Sequence, residues 1–226
     1  MWAKPAKVDW KNLYYKMPRP EIQHHIPPGP HRVLDVGCGE GIFGESIKQL
    51  GKAEEVVGIE LDQYAAEAAR SRLDRVICGD LETFDWDGLG LAKGAFDYVV
   101  CGDVLEHLKD PWDALRRLST LLKENGRLIA SIPNVRHWSV TLPLLFLGAW
   151  NYAPRGILDR THLRFFTRRT ACRMFMEAGL QIERCDGLRF SKKDRVIHLL
   201  LLGLGPEWSS PQWLLIGYPE TQSVQK

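Results

Sequence analysis

Three acidic residues stand where apolar runs stop. Asp35 lies within Val33-Leu34-Asp35-Val36, two places before Gly37 of the loop Gly37-Cys38-Gly39-Glu40-Gly41. Glu60 closes Val56-Val57-Gly58-Ile59, and Asp80 follows Arg75-Val76-Ile77-Cys78-Gly79. Glycines in such a loop permit positive φ and let backbone approach a ligand closely. The helix that follows turns free N–H groups toward an anionic group. A carboxylate after a second strand suits the two hydroxyls of a ribose. Asp35 suits a cationic amino group, and Asp80 an adenine amino group. Taken singly, each is an ordinary helix cap or solvated loop residue. All three at consecutive strand ends point to a ligand that carries an ammonium, a ribose and an adenine. One competing pattern overlaps them. Gly39-x-Gly41-x-x-Gly44, with Glu60 21 positions after Gly39, matches the dinucleotide fingerprint. A nicotinamide-linked oxidoreductase is therefore the alternative, although a pyrophosphate has no use for a carboxylate at Asp35.

A second set of residues carries proton chemistry. His107 lies just past the apolar run Phe96–Cys101, and His137 and His162 follow Pro133. Imidazole titrates near neutrality, so these three are candidate general bases. The structural alternative for His107 is a ring that caps its turn or pairs with Glu106. Arg160 and Arg164 are spaced to hold one phosphate or carboxylate; salt bridging to Asp159 is their structural alternative. The distribution of charge supports an anionic small-molecule partner. Residues 31–150 hold 13 Lys/Arg against 19 Asp/Glu, whereas residues 151–200 hold 11 against 5. The dense basic stripe of a nucleic-acid binder is missing.

The elements that must position these groups alternate. Apolar runs at 32–36, 55–60, 75–78, 96–101 and 127–132 read as strands. Helical patterns at 40–51, 63–73 and 111–122 lie between them. This alternation predicts an α/β fold with a doubly wound, mostly parallel sheet. Strands buried on both faces read as continuous apolar runs, as these do. Ligands then bind beyond the carboxyl ends of the strands, where the acidic residues fall. Thr167–Ala178 is a further helix, with Thr167 as N-cap and Gly179 as C-cap. Residues 180–185 and 213–217 read as strands, and 196–204 as apolar helix or loop. Residues 134–166 are too long for a connection and read as a helical insertion over the acceptor site. Its apolar part, 140–150, is a lid, a homodimer contact or a lipid-facing surface.

At this point the chain resembles the class I S-adenosylmethionine-dependent methyltransferases, over about residues 14–188. Val33–Gly41 resembles their first motif, Gly58-Ile59-Glu60 the ribose position and Gly79-Asp80-Leu81 the adenine position. Phe96–Leu108 resembles their fourth strand and the turn after it, and Pro111–Leu128 the next helix and strand. The resemblance implies a Rossmann-like sheet of seven strands whose last strand is antiparallel. It implies S-adenosylmethionine as methyl donor, held by Asp35, Gly37, Cys38, Gly39, Glu60, Leu61, Asp80, Leu81, Cys101 and Gly102. Tyr14-Tyr15-x3-Arg19-Pro20 resembles an N-terminal lid, so residues 1–30 are read as a lid segment and 31–226 as one domain. Tyr15, Arg136, Arg160 and Arg164 are the expected acceptor contacts. Pro133-Asn134 and Asp159–Thr167 are similar to bacterial members found with sugar and polysaccharide biosynthesis enzymes. The implied reaction is O-methylation of a sugar or other small polar molecule. A non-catalytic binding protein on the same fold is the remaining alternative.

Composition sets the outer limits. The chain has 226 residues, 45% hydrophobic and 26% charged, with a formal net charge of +2. That length buries a full core without metals or disulfides. Five cysteines without C-x-x-C spacing argue against a zinc site and for a reducing, cytoplasmic setting. No apolar run reaches the roughly 18 residues of a membrane span.

Overall fold

The computed structural model describes residues 17–188, 191–200 and 205–220. Its centre is one seven-stranded sheet with the order β3-β2-β1-β4-β5-β7-β6. The strands are β1 Arg32–Val36, β2 Glu55–Glu60, β3 Arg75–Cys78, β4 Phe96–Gly102, β5 Leu122–Pro133, β6 Leu180–Leu188 and β7 Gln212–Pro219. The first five pair in parallel, and β7 runs antiparallel to both β5 and β6. The expected doubly wound architecture with an antiparallel last strand is thus present.

The helices are α1 Pro20–Gln23, α2 Ile42–Gln49, α3 Gln63–Ala69, α4 Pro111–Thr120, α5 Trp138–Leu147, α6 Arg168–Glu177, α7 Lys192–Leu200 and α8 Pro206–Ser209. A single 3-10 turn, Leu105–His107, follows β4. Local chemistry explains their limits. Asp62 caps α3 by accepting from the Tyr64 and Ala65 amides. Asp110 caps α4 and Pro111 opens it, where a missing N–H costs nothing. Thr167 and Thr170 form a reciprocal capping box on α6, and Gly179 follows with φ +78°.

Side chains alternate across each strand, so one strand feeds two cores. Leu34, Val36, Val57, Ile59 and Val99 pack on one face, together with α4 and α6. Val33, Val56, Val100 and Ile129 pack on the other, against Phe43 and Ile47 of α2. Some expected limits shift. α3 stops at Ala69, and Leu73 instead turns under Gly41 and Gly44. β5 begins at Leu122 rather than 127, because Phe96 pairs with Leu122 across an irregularity. Among the described residues no helix is long and apolar enough to cross a membrane.

Gly44, the last glycine of the dinucleotide-like pattern, serves this packing. A Cβ there would lie 2.5 Å from Leu73 Cδ2 and 2.8 Å from Val56 Cγ1. Gly44→Ala should therefore lower the unfolding free energy by about 1–3 kcal/mol. Urea titration would check this, and an unchanged midpoint would mean that α2 does not sit this close to the sheet.

Candidate active site

The carboxyl ends of β1, β2 and β4 converge on the glycine loop. Gly37, Gly39 and Gly41 have φ of +70°, +55° and +79°, a region that side chains with a Cβ disfavour. A Cβ on Gly37 would stand 2.6 Å from Val104 Cγ2, so the loop has no room for one. The Gly37 and Cys38 amides donate to Ile59 O at 2.8 and 3.0 Å. Gly41 caps α2 without any side-chain bond, which leaves first-turn N–H groups for a ligand. Glu60 is buried and holds this shape. One carboxylate oxygen accepts from Gly39 N and the other from Asp62 N, both at 2.8 Å. Each oxygen keeps a second lone pair for a hydroxyl donor.

Asp35 is the unusual group. It lies in the sheet opposite Gly58 and Val100 and is 4% exposed. Its Oδ2 is buried and has no hydrogen-bond partner among the described residues. Burial pushes its pKa up to about 7, the Arg19 guanidinium pulls it down, and Glu60 adds to the rise. A buried carboxylate oxygen without a donor fits an incoming ammonium.

Arg19 and Asp103 complete this end of the site, and the sequence reading had not assigned a role to either. They are the two non-glycine residues with positive φ among the described residues, +48° and +57°. They pair with each other at 2.9 Å while both are buried. The other Asp103 oxygen accepts from Ser131 Oγ at 2.9 Å and from Gln212 Nε2. The Arg19 guanidinium lies against Gly102, where a Cβ would stand 2.8 Å from its Cζ. Backbone strain held by such over-determination gathers at functional sites.

Other expected donor contacts fall in different places. Cys38 is buried against Gly58, and burial pushes its thiol far up. Cys101 is wholly buried in the core, and its thiol is likewise pushed up by burial. Neither thiol is a reactive group; the side chain of Cys101 packs in the core rather than toward a ligand. Asp80 is half-buried, and its Oδ1 accepts from Glu82 N at 2.9 Å. Leu81 is buried while Leu61 is 69% exposed at the rim. Tyr15 lies outside the described residues.

Two of the three histidines meet beside β4. His107 and His162 stack edge to face with ring centroids 4.8 Å apart. His107 Nδ1 lies 3.2 Å from Thr161 O, and His162 Nδ1 3.0 Å from Ile157 O. A carbonyl only accepts, so each Nδ1 donates, which makes Nε2 the acceptor of the neutral ring. Burial lowers the His162 pKa, which keeps it neutral near pH 7. Donor atoms of Glu106, His107 and His162 lie within 4.8 Å of one another. They are the right donor types to hold a cation, a grouping for which the sequence spacing carried no signal.

His137 is held elsewhere, between α5 and α7. It caps α5, with Nδ1 2.8 Å from Ser139 Oγ and Nε2 3.1 Å from Asp194 Oδ1. Both ring nitrogens are engaged, so it joins α5 to α7. Two of the three arginines make protein contacts. Arg164 donates from Nε to Lys109 O at 3.0 Å and lies over the Trp112 ring at 5.9 Å. Arg136 pairs with Glu207 and lies over Trp208. Arg160 alone of the three leaves its guanidinium exposed without a protein partner among the described residues.

Comparison with known proteins follows the geometry. The family described as "Methyltransferase domain" matches residues 12–184. A ubiquinone biosynthesis O-methyltransferase from Ralstonia nicotianae is 30% identical over 192 residues, covering 83% of this chain and 74% of the relative. One from Chromobacterium violaceum is 33% identical over 183 residues, covering 79% and 76%. A SAM-dependent methyltransferase from Archaeoglobus fulgidus shares the fold, with a TM-score of 0.64, 19% identity and coverage of 92% and 93%. The curated relatives compared carry ubiquinone names, so the expected likeness to sugar and polysaccharide enzymes gives way to these. The dinucleotide alternative is set aside as well. With glycine loop, buried acid and family match in agreement, the chain belongs to the methyltransferase-domain family and is an S-adenosylmethionine-dependent methyltransferase.

Proposed function

We propose that this enzyme methylates a hydroxyl of a small aromatic acceptor, a phenol rather than a sugar, with His107 taking the proton. The observation that carries this reading is a juxtaposition at the ends of β1 and β4. A charge set suited to an amino acid stands beside a pair of imidazoles in edge-to-face contact. Asp35 would face the donor's ammonium and Arg19 its carboxylate, while Glu60 would take ribose hydroxyls. Asp103 links the two halves. It pairs with Arg19, and its field reaches His162. The names of the curated relatives favour an oxygen acceptor and an aromatic one. Trp150 and Tyr152 ring Phe165 at 5.2 and 6.5 Å, next to His162; such a wall suits a flat ring.

When bound, S-adenosylmethionine supplies a methyl already activated by its sulfonium. The chain's task is to hold the acceptor oxygen in line with that methyl, at about 3–3.5 Å. His107 Nε2 accepts the hydroxyl proton as the O–CH3 bond forms and the S–CH3 bond breaks. Thr161 O fixes the His107 tautomer. The proton leaves to solvent afterwards, and the ether and S-adenosylhomocysteine balance the reaction.

Two outcomes follow. The raised pKa of Asp35 means that the free protein holds its proton between the unfolded value of 3.8 and about 7. Its contribution therefore costs stability progressively as pH rises through that window, and the cost is complete above it. An incoming ammonium lowers the pKa again, so donor binding near pH 6 should release a proton. Calorimetry in buffers of different ionisation enthalpy would show this, and Asp35→Asn should abolish it; equal enthalpies in all buffers would remove Asp35 from the ammonium site. Separately, His107→Ala should lower kcat with a catechol acceptor about 10²–10⁴-fold and leave donor affinity unchanged. Retained kcat would discard His107 as the base, and preference for a sugar acceptor would discard the phenol.

A further inference from the structure

Two cysteines that the methyl-transfer site does not use line one cleft at the far edge of the sheet. Cys172 lies on α6 and Cys185 on the edge strand β6, four strands from β1. Both are free and half-buried. They line an open cleft of about 490 Å³ together with Arg168, Arg184 and Glu207. Arg168, one helical turn before Cys172 on the same helix, opens onto this cleft beside both thiols. Arg168 is itself held over the Trp213 ring at 5.8 Å.

We propose that Cys172 and Cys185 form a dithiol site that reacts with hydroperoxides and closes to a disulfide joining α6 to β6. The cleft admits a small oxidant, and the guanidinium beside the pair stabilises a thiolate. The neighbouring Cys185 and the Arg168 charge bring Cys172 down to about 7 against the opposing effect of burial, while Cys185 shifts the opposite way. Cys172 is thus the attacking thiolate and Cys185 the resolving thiol. In the first step the Cys172 sulfur attacks the peroxide oxygen; the O–O bond breaks, an alcohol leaves and Cys172 becomes a sulfenic acid. In the second, the Cys185 thiol displaces water and the S–S bond forms. Two thiols lose two electrons and two protons, and one peroxide is reduced to alcohol and water. The sulfurs must close to about 2 Å. They do so on an edge strand that already carries an irregularity between Ile182 and Arg184, where a shift disturbs one neighbour rather than two.

The other thiols allow a clean test. Cys38 and Cys101 are buried, and Cys78 is exposed, so Cys78→Ser serves as the background. Native Cys78→Ser protein treated with an alkyl hydroperoxide should lose two titratable thiols. Trypsin cuts after Arg173 and Arg184, so digestion without reductant should yield the Cys172 and Cys185 peptides joined. Adding Cys185→Ser should leave Cys172 as a sulfenic acid captured by dimedone. In protein with Cys78 restored, Cys172 should alkylate about tenfold faster than Cys78 at pH 7, as a thiolate of lowered pKa does. Retention of both thiols, loss without the joined peptide, or equal alkylation rates would each overturn the proposal.

Discussion

A carboxylate buried in a parallel sheet is the constraint around which this site is arranged. Asp35 lies between Leu34 and Val36, both nearly inaccessible, with β2 and β4 on either side. Burial of a charge without a partner costs several kcal/mol, and the sheet itself offers no cation. The N-terminal segment carries Arg19 across the strand ends, where its charge pulls the raised Asp35 pKa back down while the guanidinium itself pairs with Asp103. To arrive there Arg19 adopts a left-handed backbone and lies flat on residue 102, which has no room for a side chain. Asp103 is also left-handed, and Ser131 and Gln212 reach from β5 and β7 to its second oxygen. The groups around Asp35 are thus drawn from several segments.

The same logic explains why charge counts misdirect. Of the acidic residues of 31–150, Asp35, Glu60 and Asp103 are buried near strand ends. Part of the basic excess of residues 151–200 is engaged in structure. Arg164 holds Lys109 O, Arg168 covers Trp213, Arg173 pairs with Glu177 and Arg184 with Asp186. Long side chains with apolar stems serve such packing well. A basic segment therefore need not face an anionic substrate.

What was legible in the sequence was whatever a short window encodes. β1 to β4 announce themselves as apolar runs, and the capping box of α6 is written in Thr167 and Thr170. The glycine loop and Glu60 are readable because their spacing is local. The Arg19–Asp103 pair spans 84 positions, and no local pattern marks an arginine that will turn left-handed. His137 looked like a base because its partner, Asp194, lies 57 positions on. His107 and His162 were named singly; their contact depends on a docking that no spacing announces.

That docking is made by main chain. Leu163 N and Arg164 N both donate to Glu106 O, at 2.8 and 3.0 Å, while Thr161 O receives the His107 ring. The turn after β4 and residues 159–164 are therefore built on one another, and neither holds its shape alone. Hydrogen bonds of this kind do not depend on which side chains are present. The geometry of the imidazole pair can persist while Tyr152, Arg160 and Leu163, all exposed beside it, are exchanged.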